Sequence, residues 1–134
     1  MKRVDKLDRF IEKTKSYVVT DLEEKLLLER YKQVIFPCMQ KIKEGLDQVE
    51  GYDYAISVME NISTLSIHDK EFVIRVDTIE NYIEVYTRIG NNIDKIDKII
   101  LKEESLFSSE REEIFTKDIL VDYLNETFDS ILGQ

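Results

Sequence analysis

Residues 52–101 read YDYAISVMENISTLSIHDKEFVIRVDTIENYIEVYTRIGNNIDKIDKIIL, and this stretch decides the fold. Phe72, Ile74 and Val76 alternate with Val73, Arg75 and Asp77. Ile83, Val85, Thr87 and Ile89 alternate with Tyr82, Glu84, Tyr86 and Arg88. A period of two sends successive side chains to opposite faces of a strand, so each segment has one apolar face and one mixed face. Tyr52, Tyr54, Ile56 and Val58 alternate in the same way, and Ile62, Leu65 and Ile67 mark a further strand with an irregular start. Polar breaks fall at His68-Asp69-Lys70, at Thr78–Asn81 and at Gly90-Asn91-Asn92. The last is the strongest turn, because Gly and Asn tolerate positive φ. Ile93, Ile96 and Ile100 have helix-like spacing, but their segment is β-branched and follows a hairpin turn, so residues 93–101 read as a closing strand. The whole stretch is a four- or five-stranded antiparallel meander.

Helical sequence flanks it. Upstream, Val4, Leu7, Ile11 and Val18 share one face of a helix over residues 3–18, widened by Phe10 and Tyr17. Thr20-Asp21-Leu22-Glu23 has the form of a capping box, in which a Thr hydroxyl and a Glu three residues on satisfy each other's backbone N–H. It predicts a second helix over residues 21–49, joined to the first in a hairpin at Val19–Thr20. The apolar series of that helix runs Leu27, Tyr31, Val34, Cys38, Ile42, Leu46 and Val49. Pro37 interrupts it, and a kink or break is expected near Ile35–Phe36, because proline donates no hydrogen bond and crowds the preceding turn. Downstream, residues 103–109 read as a connection. Ile119, Leu120, Tyr123, Leu124, Phe128 and Ile131 form the stripe of a last helix capped by Thr116. Segregated helices and strands give an α+β fold: two N-terminal helices, the meander, and one C-terminal helix packed on the sheet. One domain over residues 1–134 then divides into a helical hairpin (1–51), a sheet (52–102) and a connection with the final helix (103–134).

The 134 residues are 43% hydrophobic and 35% charged, which excludes both a disordered tail and a membrane-embedded chain. No apolar run approaches a membrane span, and the basic N-terminus has no apolar stretch behind it, so a cytoplasmic protein is expected. The net charge of −9 is uneven: +1 over residues 1–50, −3 over 51–102 and −7 over 103–134. Such acidity repels phosphate, so neither nucleic acid nor an anionic membrane is expected as a partner.

Chemistry-bearing residues are sparse. The single Cys38 lies among apolar neighbours and reads as a small buried residue. The single His68 reads as a solvated turn residue, because Asp69 and Glu71 alone do not complete a metal-ligand pattern. No G-x-S-x-G elbow or glycine-rich phosphate loop is present. Glu103–Glu104, Glu112–Glu113, Asp94-Lys95 and Asp97-Lys98 read as exposed charge. The sequence therefore nominates no catalytic, cofactor-binding or metal residue, and expects no enzyme. Tyr82, Glu84, Tyr86 and Arg88 are its one candidate site, a protein-binding face, since Tyr and Arg are enriched where proteins recognise proteins.

Two N-terminal helices, a Gly-Tyr-Asp-Tyr strand, the DKEFVIRVD, NYIEVYTRI and DKIDKIILKEE segments and the closing FTKDILVDYLNETF helix together resemble an uncharacterised family of short Bacillus-type bacterial proteins. The resemblance spans nearly the whole chain. It implies a bacterial, single-domain, cytoplasmic protein of unknown function and transfers no catalytic residue. The leading functional expectation is a non-enzymatic interaction domain of adaptor, chaperone-like or regulatory type, with a homodimer through paired strand edges also open. The alternatives are an acidic inhibitor or immunity-type protein for a basic partner, and a small-ligand binder or enzyme whose site is assembled from residues far apart in sequence.

Overall fold

The structure, a computed structural model, describes residues 5–49 and 53–132. The chain forms helix α1 (Lys6–Arg30), a wide π-helical turn (Tyr31–Ile35), helix α2 (Phe36–Asp47), strands β1 (Tyr54–Val58), β2 (Ile62–Ile67), β3 (Lys70–Asp77), β4 (Tyr82–Ile89), β5 (Asn92–Lys102), β6 (Ser105–Ser108) and β7 (Glu113–Ile114), and helix α3 (Lys117–Leu132). The strands pair antiparallel in sequence order as one seven-stranded sheet. The class is the α+β fold read from the sequence, with more strands than expected. The segment expected to be a connection contributes β6, because Leu106 and Ser108 point into the core.

The expected helical hairpin is absent. Backbone helix continues through Val19 and Thr20, and the irregularity falls one element later, at Tyr31–Ile35. There the Phe36 N–H reaches back five residues to the Tyr31 carbonyl. Pro37 explains the position: it has no N–H to offer the preceding turn, and a widened turn relieves the crowding around its ring. The wide turn also sets which face is buried. Leu27, Tyr31, Ile35 and Met39 are fully buried, each four residues after the last. Three such steps would drift about 120° around a regular α-helix at 3.6 residues per turn. The extra residue in the π turn absorbs most of that drift. Ile35 and Met39 thus take the central places expected for Val34 and Cys38, which are only half-buried.

Beneath these helices lie Leu65, Phe72, Ile74, Val76, Ile83, Val85 and Ile99 from the sheet, with Leu120, Tyr123 and Phe128 of α3 alongside. Helices therefore cover one sheet face. Thr116 caps α3 as its sequence implied, its Oγ1 accepting from the Ile119 N–H at 3.4 Å. Residues 93–101 are strand, as read. The threefold spacing of their isoleucines is accommodated by a bulge: Val85 pairs with Asp97 and Tyr86 with Lys95, leaving Ile96 as the extra residue. The bulge resets the alternation so that Asp97 and Ile99 face inward. Tyr52, expected in the first strand, lies outside the described residues.

Candidate functional surfaces

The strand register brings the four nominated residues together. Tyr82, Glu84, Tyr86 and Arg88 occupy successive outward positions of β4, on the face opposite the helices, since the alternating Ile83 and Val85 belong to the core. The charges of Glu84 and Arg88 and the ring of Tyr82 are already engaged by cross-strand neighbours. Arg75 pairs with Glu84 at 2.8 Å and Arg88 with Glu71 at 2.6 Å, while the Lys98 ammonium sits 4.7 Å from the Tyr82 ring centre. Burial, then the surrounding carboxylates with Glu84 first, push the Tyr82 phenol above its ordinary value. The face is a paired, half-buried polar lattice. Docking a partner on it would desolvate ion pairs that the fold already satisfies.

A second surface is the groove between α2 and α3. It has a volume of about 440 Å³, a floor of Leu65 and Ile67 from β2, and walls that include Ile42, Leu124 and Phe128. Lys41, Lys117 and Cys38 also line it. Neither lysine makes an ion pair with a described residue. Burial raises the Cys38 thiol above its ordinary value, and the two ammonium groups partly oppose that rise. Cys38, read from the sequence as a small buried residue, is only half-buried at the edge of the core.

A third feature escaped the sequence. Asp97, read there as exposed, is buried behind the β5 bulge. Its Oδ2 accepts from Ser108 Oγ at 2.5 Å and from the Tyr123 hydroxyl at 2.6 Å, and its Oδ1 accepts from the Glu110 N–H at 3.0 Å. The Arg111 guanidinium lies over the Tyr123 ring at 4.8 Å. The Asp97, Ser108 and Tyr123 side chains bond to one another and to the Glu110 and Arg111 N–H groups, so the cluster ties β5, the β6–β7 turn and α3 together. His68, by contrast, is exposed as expected, and its Nδ1 lies 2.6 Å from Asp53 Oδ2. Among the described residues no group of three or more His, Cys, Asp or Glu is arranged to hold a metal ion.

Six of the exposed large hydrophobic residues lie along α1: Leu7, Phe10, Ile11, Tyr17, Val18 and Leu22. Asp5 caps this helix, its carboxylate accepting from the Leu7 N–H at 3.3 Å. From Lys6 to Val18 every residue is exposed, including Leu7 (61%), Phe10 (65%), Tyr17 (75%) and Val18 (48%), and Leu22 is 59% exposed beyond them. Burial against the sheet sets in only near Leu26 and Leu27. The Lys6–Leu22 segment is thus an arm roughly 25 Å long at 1.5 Å per residue, standing clear of the domain. The apolar face of this arm was legible in the sequence. That none of the described residues covers it was not legible, because an amphipathic stripe looks the same whether its cover is intramolecular or not.

A sheet covered on one face by two helical segments, carrying a projecting amphipathic arm, defines a small α+β meander domain. The chain belongs to the family described as a protein of unknown function (DUF3942), whose model matches residues 7–132. Searches of curated proteins and of solved structures returned no match. No helix among the described residues is long and apolar enough to cross a membrane.

Proposed function

We propose that this protein is a small non-enzymatic interaction domain, an adaptor or regulatory subunit, whose N-terminal arm engages another protein chain. The observation that carries this reading is the exposure of Leu7, Phe10, Ile11, Tyr17, Val18 and Leu22 along one helical segment. Contiguous apolar surface on a folded protein marks interaction sites, and a helix displaying apolar residues three and four apart is a standard form of peptide recognition. The Tyr82–Arg88 face is a secondary element, since its charges are satisfied within the sheet. The test is a photo-activatable side chain placed at Tyr17 and, separately, at Tyr86 in the protein expressed in its own cells. A discrete protein adduct from position 17 is the expected result. Failure to form any discrete adduct there, in a protein that remains folded, overturns the reading.

The groove between α2 and α3 supports a second reading, a binder of an amphipathic anion. Its apolar floor suits a hydrocarbon chain, and the unpaired Lys41 and Lys117 suit a carboxylate or similar head group. Saturable binding of a long-chain carboxylate, weakened about tenfold or more by K41E with K117E, is the expected outcome. Absence of saturable binding removes this reading.

The alternative of an acidic inhibitor or immunity-type protein for a basic partner draws support from the nine Asp and Glu residues of segment 103–134, all of which are exposed. A complex formed through them would weaken steeply with salt, whereas one formed through the apolar arm would not.

A further inference from the structure

We propose that the free edge of β1 pairs antiparallel with β1 of a second copy of this chain, joining the two sheets across a two-fold axis at Ile56. The inference concerns a different surface from the N-terminal arm and stands apart from its reading. Three observations carry it.

The first is a row of unpaired backbone. The Met59 N–H donates to the Ile62 carbonyl and the His68 N–H to the Asp53 carbonyl, both at 2.9 Å. Both pairs continue the β1–β2 register, in which Tyr54 faces Ile67 and Val58 faces Ser63. Hydrogen-bonded and non-hydrogen-bonded pairs alternate along an antiparallel ladder. Asp53, Ala55, Ser57 and Met59 therefore bond to β2. Tyr54, Ile56 and Val58 direct their N–H and C=O groups the other way, along the edge of the sheet. Among the described residues no hydrogen bond reaches these outward groups.

The second is that nothing guards this edge. Edge strands are kept from pairing by charge, proline, a bulge or extreme shortness. β1 reads Tyr-Ala-Ile-Ser-Val, with neither charge nor proline, and its register with β2 runs without a bulge. Its exposed side chains, Ala55 and Ser57, are small. The opposite edge differs: β7 has two residues, one of them Glu113.

The third is the fit of the strand to its own copy. A two-fold interface requires a surface complementary to itself. Centring the axis on Ile56 sets Tyr54 against the partner's Val58 and Ile56 against the partner's Ile56. Each facing pair exchanges two hydrogen bonds, so every outward group of both strands finds an acceptor or donor. A shift of two residues either way leaves one outward residue of each strand without a facing partner inside β1. The side chains agree with this register. Tyr54, Ile56 and Val58 are half-buried, and Ile56 and Val58 already pack against the core. Pairing sets aromatic against β-branched and Ile against Ile, which favours association and continues the core across the axis. No like charges face each other. The acids that flank the strand are held within their own chain, Asp53 by His68 at 2.6 Å and Glu60 by Lys32 at 3.5 Å. Asp53 faces the partner's Met59, a residue 56% exposed in the single chain.

The test joins association to a residue-level readout. Sedimentation of the full chain over a range of concentrations should show a reversible dimer. Amide hydrogen exchange followed by NMR should show Tyr54, Ile56 and Val58 gaining about tenfold or more in protection as the dimer fills, while the Ala55 and Ser57 amides are protected throughout. Positions 55 and 57 face each other across the axis, so charge placed there tests the register. Ala55→Glu with Ser57→Glu opposes two carboxylates twice and should weaken the dimer about tenfold. Ala55→Glu with Ser57→Lys opposes a carboxylate to an ammonium twice and should leave it intact. Both variants should keep the far-ultraviolet circular dichroism of the wild type, since both sites are exposed. Three results overturn the proposal: a wild-type monomer at every concentration, a dimer whose three edge amides stay unprotected, or a dimer that responds equally to the two double substitutions. If the pure chain is monomeric and the edge amides gain protection only in cell extract, the edge takes a foreign strand and the self-pairing falls.

Discussion

Replacing Asp97 tests what the buried cluster contributes. The carboxylate accepts three hydrogen bonds, from Ser108, Tyr123 and the Glu110 backbone. In Asp97→Ala the Glu110 N–H and the Tyr123 hydroxyl lose their acceptor inside the protein. Ser108 is less affected: it still accepts from the Arg111 N–H at 3.0 Å, and its oxygen lies 3.5 Å from that of Tyr123, close enough for the two hydroxyls to re-pair. Each orphaned buried donor costs roughly 1–3 kcal/mol, so a net loss of about 3–4 kcal/mol is expected. A domain of this size has a stability on the order of 10 kcal/mol, of which this loss is a large part. Asp97→Asn keeps one oxygen for the two hydroxyls and turns its amide toward the Glu110 N–H, so it should cost only about 1–2 kcal/mol. Opposing both losses is the recovered desolvation energy of a carboxylate that is paired with no cation among the described residues. Urea unfolding at neutral pH gives the comparison through the transition midpoint, provided the slope is unchanged. The reasoning is refuted if Asp97→Ala is as stable as the wild type or more so. Desolvation would then outweigh the hydrogen bonds, and the carboxylate would be retained at a cost to stability.

Burial pushes the phenols of Tyr31 and Tyr123 up to about 12 from an ordinary value of 10.0, so folding favours their neutral forms. Their stabilisation is complete below the unfolded value and is lost as pH rises from 10 to 12; urea midpoints across that window should fall, and Tyr31→Phe should flatten the fall. Tyr31→Phe also removes the 2.5 Å hydrogen bond to the buried Ser63 hydroxyl and should cost about 1–2 kcal/mol near neutral pH, measured by the same unfolding. Glu103 and Glu104 form the β5–β6 turn with φ of 51° and 66°, a left-handed pair of adjacent like charges. Glu103→Asn with Glu104→Gly, the preferred chemistry for such a turn, should stabilise by about 1–2 kcal/mol, and an unchanged unfolding midpoint would show the turn to be unstrained. Gly90 turns the chain between β4 and β5 at φ of 59° with nothing within 4 Å of an added Cβ, so Gly90→Ala should cost only about 1 kcal/mol, all of it backbone strain.

The two central strands were legible because one buried face imposes strict alternation. Ile83 and Val85 on one side, with Tyr82 and Tyr86 on the other, admit only one register phase. The same logic assembled the nominated Tyr82–Arg88 face. Asp97 was not legible. Its local setting, an Asp-Lys repeat, is that of a solvated strand, and only the bulge at Ile96 turns it inward. Nor was β6 legible, since four residues following two glutamates carry too little pattern to distinguish a strand from a loop. The capping-box reading at Thr20 misplaced a helix boundary: the cap pattern is a local preference, and α1 continues through it.

By itself the sequence determined the fold class, the alternating faces of the sheet, the turn at Gly90, the cap of α3 and the place where Pro37 disturbs the long helix. All of these follow from local sterics, backbone hydrogen bonding and the period of apolar residues. Tertiary structure alone decided which amphipathic faces found a cover. The stripe of residues 27–39 meets the sheet, while the stripe of residues 7–22 meets solvent, although both have the same helical periodicity. Periodicity records that a face is apolar. What covers that face depends on where the rest of the chain lies, and for the arm the rest of the described chain lies elsewhere.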